Sequence, residues 1–591
     1  MPSLRPLLIA ACLGASCPSQ AATSATQPDP ANQAPDVPLA STEPPLANPA
    51  SDAPAAPKSS NVTINLINRL VQKGYLTQPE AIELIKQAEA DAATAAQNAA
   101  AAETPAPAPD ELRVTYIPEV VRNQMRDQIK QDLMAQAHEE KWSDKPAAQW
   151  TSKFRPYGDI RVRYDGTFFP SGNDNTGAFP NFNVINTGSP FDTSGNQFSP
   201  QYNVDQNRQR ARLYARAGTE MMLGDGFNAG LCLGTGDSST PTSLNQTLGS
   251  SGGSFSKYAV WLDKAFVSYD AGPGDGEELT FLLGRFVNPF FCTGVQWDPD
   301  IGFDGAALRG KVKLTDRVST FFSAGCFPIY NTDLNFASNQ PAKFASTDKW
   351  LSGAQLGIDW KINKDLNAKL AISYYDFTNI AGRLSSPFTP LTASDAGNTD
   401  TTRPSFAQRG NTYMALRDIV PTAANNFGTI NQFQYYGLAT PFRNVTVTGK
   451  LDYDSFDPLR VSLLGEATKN VAFNKSAINQ KAVNNLGSGG GFGGGDLAWN
   501  LTLQVGKPAL ETLGDWQAGF GYRYVESDAV VDGFTDSDFG GGGTNLQGFT
   551  LGGSIALSPA VRVGLGWMSS SEIAGPPLKS DILQIDLHAK F

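Results

Sequence analysis

The residues of this chain best suited to chemistry are arginines that alternate with uncharged residues in two short segments. Alternate residues of an extended strand point to opposite faces, so each segment gathers its arginines on one face. In GDIRVRYD (158–165) that face also carries Asp159 and Asp165, opposite Ile160 and Val162. The arginines concerned are Arg161 and Arg163 in the first segment, and Arg208, Arg210, Arg212 and Arg216 in RQRARLYAR (208–216). Such rows of guanidinium groups can steer or bind anionic solutes.

A second group of candidate residues is acidic. WDPDIGFD (297–304) carries Asp298, Asp300 and Asp304. An acidic loop that faces a basic wall would set up a transverse field across a pore, so we predict that these residues line a pore together with the arginines. Two alternatives stay open: a tight loop whose aspartates cap their own turns, and a calcium site, for which the spacing lacks a full set of oxygen ligands.

Few residues could support catalysis. The only histidines are His138 and His588, and no CxxC spacing occurs. A zinc site or a histidine-based triad is therefore not expected, and we predict neither an enzyme nor a bound cofactor or metal. Three cysteines, Cys232, Cys292 and Cys326, remain after the N-terminal segment, and an odd number in an oxidising compartment leaves at least one thiol free or bonded to another chain.

The elements that must position these side chains are strands with one apolar face. ILQIDLHAKF (582–591) alternates Leu, Ile, Leu, Ala and Phe with polar residues and ends on Phe591. GFTLGGSIAL (548–557), AVRVGLGWM (560–568) and DLAWNLTLQVG (496–506) alternate in the same way, with polar residues or glycine on the second face. Polar-in, apolar-out alternation over many strands is typical of a transmembrane β-barrel. A charge facing lipid at mid-bilayer costs roughly 2–4 kcal/mol, so the arginine rows should face the lumen.

Turn signals divide 154–591 into about sixteen strands of an all-β, antiparallel barrel. Short turns at 223–226, 271–276, 315–317, 363–365, 456–458, 508–515 and 558–560 alternate with long loops at 169–204, 236–257, 287–302, 331–349, 378–438, 471–495 and 527–545. GNTYMALRDIV (410–420) could add a strand. A barrel of this size should enclose a water-filled lumen and not a side-chain core. If Phe168 and Asp205 end the first hairpin, Arg163 lies opposite Arg210, Arg161 opposite Arg212, and Asp165 opposite Arg208.

The chain of 591 residues has a net charge of −11 and a mean hydropathy of −0.27, and no stretch reaches the roughly 18 apolar residues of a membrane helix. Residues 1–22 are typical of a signal peptide. A disordered Pro/Ala linker (23–60), a small helical hairpin (61–100) and a second linker (101–118) follow. An amphipathic helix (119–142), with Val121, Met125, Ile129 and Leu133 as a stripe, either packs under the barrel or forms a coiled coil between subunits.

Several blocks of the chain resemble one known family. GDIRVRYD (158–165), LGRFVNPF (283–290), WDPDIGFDGAAL (297–308), YGLATPFRNV (436–445) and YRYVESDAVVDGFTDSDFGGGGTN (522–545) occur in an order similar to that of the putative porin family of Gram-negative outer membranes. The resemblance covers about 110–591. It implies an outer-membrane pore, without a known solute or an established set of functional residues.

The expected function is therefore an outer-membrane channel for passive diffusion of small hydrophilic solutes or ions. The expected partners are outer-membrane lipid, two further copies in a homotrimer, peptidoglycan, and the barrel-assembly machinery, for which Phe591 would complete the signal; nucleic acid is not one of them. A structural tether or adhesin that uses the N-terminal helices and surface loops is the alternative. Bilayer conductance separates the two.

Overall fold

The computed structural model describes residues 153–591 apart from 237–239, 251, 273–276 and 334–342, together with Pro79, Ile82 and Lys86. These last three positions are helical and fall within the predicted hairpin at 61–100. The predicted signal peptide, both linkers and the amphipathic helix at 119–142 lie outside the described residues. No helix in the described part of the chain is long and apolar enough to cross a membrane.

Sixteen long antiparallel strands form one sheet, as the alternation predicts. The strands are β1 (Phe154–Phe168), β2 (Arg208–Gly224), β3 (Phe227–Gly234), β4 (Trp261–Asp270), β5 (Glu278–Val287), β6 (Gly302–Lys313), β7 (Val318–Tyr330), β8 (Lys349–Lys361), β9 (Leu366–Thr378), β10 (Phe442–Phe456), β11 (Leu459–Asn470), β12 (Leu497–Gly506), β13 (Trp516–Val525), β14 (Leu546–Ala556), β15 (Val561–Glu572) and β16 (Lys579–Lys590). Each strand pairs with its neighbours in sequence.

The sheet closes on itself because β1 pairs with both β2 and β16. The seam ends at Phe591, whose backbone exchanges two hydrogen bonds with Gly158, 2.8 and 2.9 Å long. The Phe591 ring lies on Gly158, where an added Cβ would come within 2.5 Å of the ring. The terminal aromatic residue therefore covers the closing strand pair at the rim where the chain enters and leaves the barrel.

Short turns join the strands at one rim and long loops join them at the other. The eight loops are loop 1 (169–207), loop 2 (235–260), loop 3 (288–301), loop 4 (331–348), loop 5 (379–441), loop 6 (471–496), loop 7 (526–545) and loop 8 (573–578). The predicted turns are all found. Within 410–420 only Tyr413–Ala415 is a strand, and it pairs with Tyr436–Leu438 inside loop 5, so it adds nothing to the barrel.

The outward face of the strands is apolar. Leu283, Leu356, Leu551 and Leu565 are each more than half exposed, which places them where lipid replaces water. A chain cannot leave backbone groups unpaired in lipid, and the closed ladder satisfies every strand except at its rims. The alternation read from the sequence thus indicates a closed sheet and identifies which face of each strand points outward.

The interior differs from the expected water-filled lumen. Beside β5 to β10 it is filled by a side-chain core in which Phe286, Phe303 and Tyr375 of the wall pack against Trp297 of loop 3 and Leu416 of loop 5. A short helix of loop 1, α1 (Phe182–Thr187), joins the same core. Loops of this length carry enough apolar side chains to form a core among themselves. The aromatic side chains on the inner face of the barrel add apolar surface to that core. A cavity lies on the other side, where residues of β16, β1 and β2 line it.

Candidate functional site

The predicted arginine rows lie side by side on β1 and β2. Arg163 is directly opposite Arg212, and Arg161 is opposite Tyr214. The predicted register was wrong by two residues, because a 39-residue loop between the strands leaves the register free. The observed register places Asp165 opposite Arg210 and Asp159 opposite Arg216, so two carboxylates face two guanidinium groups. A shift by two keeps every side chain on its predicted face.

These five arginines, Arg161, Arg163, Arg210, Arg212 and Arg216, form what we call the arginine wall. Asp165 accepts a hydrogen bond from Arg210 at 2.7 Å and lies 3.5 Å from Arg212. Asp159 pairs with Arg216 at 2.9 Å. The wall is therefore not a bare row of positive charge but a lattice in which acidic residues of the same strand separate the arginines.

Arg163 holds the centre of the wall. Its guanidinium donates two hydrogen bonds to Asp586 of β16, at 2.7 and 2.9 Å, and a third to Asp538 of loop 7, at 2.9 Å. Burial acts to raise the pKa of Asp538, but the charge and hydrogen bond of Arg163 outweigh it and the pKa is lowered. Asp538 thus stays ionised, and loop 7 is tied to the wall by a charged contact.

Loop 3 bends into the barrel as expected, but its aspartates have different roles. Asp298 is almost fully buried, and its carboxylate accepts the backbone N–H groups of Asp300 and Ser537 at 2.7 and 2.8 Å. Burial, with Asp536 nearby, raises its pKa to about 8. Asp298 is thus a turn cap that also binds loop 7, as the self-capping alternative proposed. Burial also raises the pKa of Asp300, against the opposing charge of Arg161, and this places Asp300 near the wall.

The remaining predicted site residues lie at the edges of this arrangement. Asp304 is on β6, where it pairs with Arg285 at 2.8 Å and not with a wall arginine. Arg208 begins β2 and is exposed at the loop rim. Among the described residues no group of three or more His, Cys, Asp or Glu side chains could hold a metal ion. The three cysteines of the barrel, Cys232, Cys292 and Cys326, are all free thiols.

Two residues of the barrel wall fix loops 3 and 7 opposite the arginines. Glu466 of β11 accepts the backbone N–H groups of Thr293 and Gln296 in loop 3. Arg523 of β13 forms an ion pair with Asp536 of loop 7 and donates a hydrogen bond to the backbone carbonyl of Gly294 in loop 3. A buried carboxylate and a buried guanidinium are costly unless they are hydrogen-bonded, so each charge is stable only with the loops in place.

Sequence reasoning missed Asp538, Asp586, Glu466 and Arg523. Asp586 and Arg523 had a signal, because they alternate with apolar residues on strands that the pattern predicts. Asp538 lies in the acidic run TDSD (535–538), which contributed only to the family resemblance. Its contact with Arg163 joins residues 375 positions apart, and no local pattern indicates such a pairing.

Comparisons with known proteins detect one family and a set of solved structures. A family model described as "Putative porin" matches residues 60–591. Among solved structures, Pseudomonas putida OprB is 12% identical, with 76% of this chain and 97% of that chain covered and a TM-score of 0.39. The outer membrane channel DcaP of Acinetobacter baumannii is 11% identical, with 74% and 97% covered and a TM-score of 0.33. No curated protein sequence is detectably similar to the chain.

Proposed function

Because this chain belongs to the Putative porin family and forms a channel in the Gram-negative outer membrane, we propose that the arginine wall and the inward loops 3 and 7 are its constriction. The observation that carries the proposal is the facing of opposite charges. Arg161 and Arg163 on the wall stand against Asp300 and Asp538 on the loops. Small hydrophilic solutes and ions that diffuse passively would pass beside these charged groups.

The side-chain core beside β5 to β10 supports this location. Trp297, Phe286 and Tyr375 are almost fully buried there, so that part of the lumen offers no path to water. A transverse field in the remaining space orients dipolar solutes and slows apolar ones, because water and polar groups respond to the field whereas hydrocarbon does not. The constriction would therefore favour polar solutes over apolar ones.

We also propose a weak preference for anions. Asp159, Asp165, Asp538 and Asp586 are each within 3.5 Å of a wall arginine, which leaves the charge of Arg161 without an ion pair among the described residues. Arg161 instead donates to Asn245 at 2.9 Å and stacks on the Tyr214 ring. Asp300 opposes the field of Arg161, and burial raises the pKa of Asp300.

The finer assignments of the chain remain proposals. We propose that residues 1–22 direct export, that the barrel-assembly machinery reads the last strand with Phe591, and that three copies assemble with help from the helix at 119–142. The hairpin at 61–100 would contact peptidoglycan. Native mass spectra of the purified protein test the trimer, and a purely monomeric spectrum would exclude it.

Planar-bilayer recordings of the purified full chain test the constriction. We expect large, stable openings and a reversal potential in a salt gradient that depends on Arg161. A protein that inserts and gives no openings would refute the channel constriction and would favour the tether alternative.

A further inference from the structure

A cavity of about 340 Å³, lined by both polar and apolar side chains, lies on the loop side of the arginine wall, between β2 and loop 5. Arg210 and Arg212 of the wall line it, and Arg409 reaches it from loop 5. Three guanidinium groups therefore converge on one space large enough for a small organic solute. A solute that enters through the loop rim would meet this cavity close to the constriction.

The three arginines are not equally occupied. Arg210 is bound to Asp165 at 2.7 Å, and Arg409 lies 3.4 Å from Glu572. Among the described residues Arg212 has two long contacts, 3.5 Å to Asp165 and 3.5 Å to the Ser243 hydroxyl. Its Nε, like that of Arg210, is buried without a hydrogen-bond partner among the described residues. A guanidinium offers five N–H donors in a planar fork, so Arg212 is the group in this cavity most in need of an acceptor.

The acidic residues of the cavity cannot meet that need. Asp165 is already bound by Arg210, and Asp538 is bound by Arg163 at 2.9 Å. A carboxylate is the acceptor that matches a guanidinium fork in shape and charge. The cavity is thus prepared for an anionic group that the chain itself does not supply.

The rest of the lining is suited to hydroxyl groups. It presents amide and hydroxyl side chains from loops 1, 2 and 7, among them Asn183, Asn203, Thr240 and Ser537. Amides and hydroxyls both donate and accept hydrogen bonds, as a solute hydroxyl does. Asn203 is already bonded to Gln206, and Ser537 donates to the carbonyl of Thr242, but a hydroxyl oxygen such as that of Ser537 can still accept a hydrogen bond from a solute.

We propose that this cavity is a binding station for small hydroxylated carboxylates, with the carboxylate on Arg212 and the hydroxyl groups on the amide and hydroxyl lining. The inference rests on the proposed channel function and adds a solute class to it. It differs from that proposal because it requires measurable binding of the solute to the cavity, and not only an electric field across the lumen.

Three solutes separate the contribution of the carboxylate from that of the hydroxyl groups. Gluconate has both features, glucose has only the hydroxyl groups, and hexanoate has only the carboxylate. Binding is measured by isothermal titration to the full chain in detergent and, independently, as transient block of single-channel current. We expect gluconate to bind at least tenfold more tightly than either analogue. Arg212→Gln should lose at least about tenfold in gluconate affinity, as expected for a charged hydrogen bond, and Arg212→Lys should fall between the two.

Arg317→Gln, at an exposed turn on the opposite rim, is the matched control and should bind gluconate as the unaltered protein does. Migration of unheated samples on gels checks that each variant is folded. Equal affinities for the three solutes, or an unchanged affinity in folded Arg212→Gln, would overturn the inference while normal conductance leaves the channel proposal intact. Absent conductance with normal gluconate binding would contradict the channel proposal instead.

Discussion

Neutralising Arg161 should move the channel towards cation selectivity. Arg161 is the wall arginine without an ion pair among the described residues, since its nearest partners are Asn245 and the ring of Tyr214. Arg161→Gln therefore removes one positive charge without breaking an ion pair among the described residues. The same change at Arg163 would leave Asp586 and Asp538 without their ion-pair partner. A loss of selectivity in the Arg163 variant would therefore not separate a lost charge from a disordered constriction.

The size of the effect follows from Coulomb's law. A unit charge about 6 Å from a permeating ion in water contributes about 0.7 kcal/mol, which screening at 0.1 M salt reduces to about 0.4 kcal/mol. Cations and anions shift in opposite directions, so their relative free energy changes by about 0.8 kcal/mol and the permeability ratio by about fourfold. In a tenfold salt gradient a fourfold ratio corresponds to a reversal potential of about 25 mV, and a narrower, drier pore would increase it.

The assay is the reversal potential of single channels in a KCl gradient, measured for the unaltered protein, Arg161→Gln and the control Arg317→Gln. The control removes the same charge from an exposed turn and should shift the potential by only a few millivolts, since it lies beyond a screening length from the wall. A constriction at the arginine wall also requires the Arg161→Gln shift to shrink in 1 M salt. If Arg161→Gln leaves both selectivity and conductance unchanged, Arg161 does not lie on the ion path and the proposed constriction is misplaced.

Three further predictions follow from the same contacts. Deleting Phe591 removes the two backbone hydrogen bonds to Gly158 that end the barrel seam, so surface levels should fall sharply in cell fractions; normal levels would contradict the assembly role. The buried Asp298 has a pKa of about 8, above its unfolded value, so the unaltered protein should lose thermal stability relative to Asp298→Asn as pH rises from 5 to 8, by at most about 1.4 kcal/mol per pH unit; parallel melting curves would argue against a buried neutral carboxyl. Deleting residues 23–109 should leave single-channel conductance unchanged, and a changed conductance would place the N-terminal region at the pore.

Much of the barrel could be read from local pattern. A period of two with one apolar face specifies a strand and its two environments, and short turns alternating with long loops specify an antiparallel order. The sixteen strands, the turns and the faces of Arg161, Arg163, Arg210 and Arg212 follow from these rules. They could be predicted because each depends on residues only a few positions apart.

Tertiary structure decided what the pattern leaves open. The register between β1 and β2 depends on which carboxylate faces which guanidinium, and a shift by two residues is invisible to the alternation. The filling of half the lumen depends on whether loops 3, 5 and 7 bury their apolar residues against the wall or against one another. Asp298 and Asp300, two residues apart, differ for the same reason: one is enclosed by loop 7 and the other is left beside the arginines. Sequence thus fixes the environment of each strand face, whereas the pairing of charges across the barrel is set by distances that only the closed fold creates.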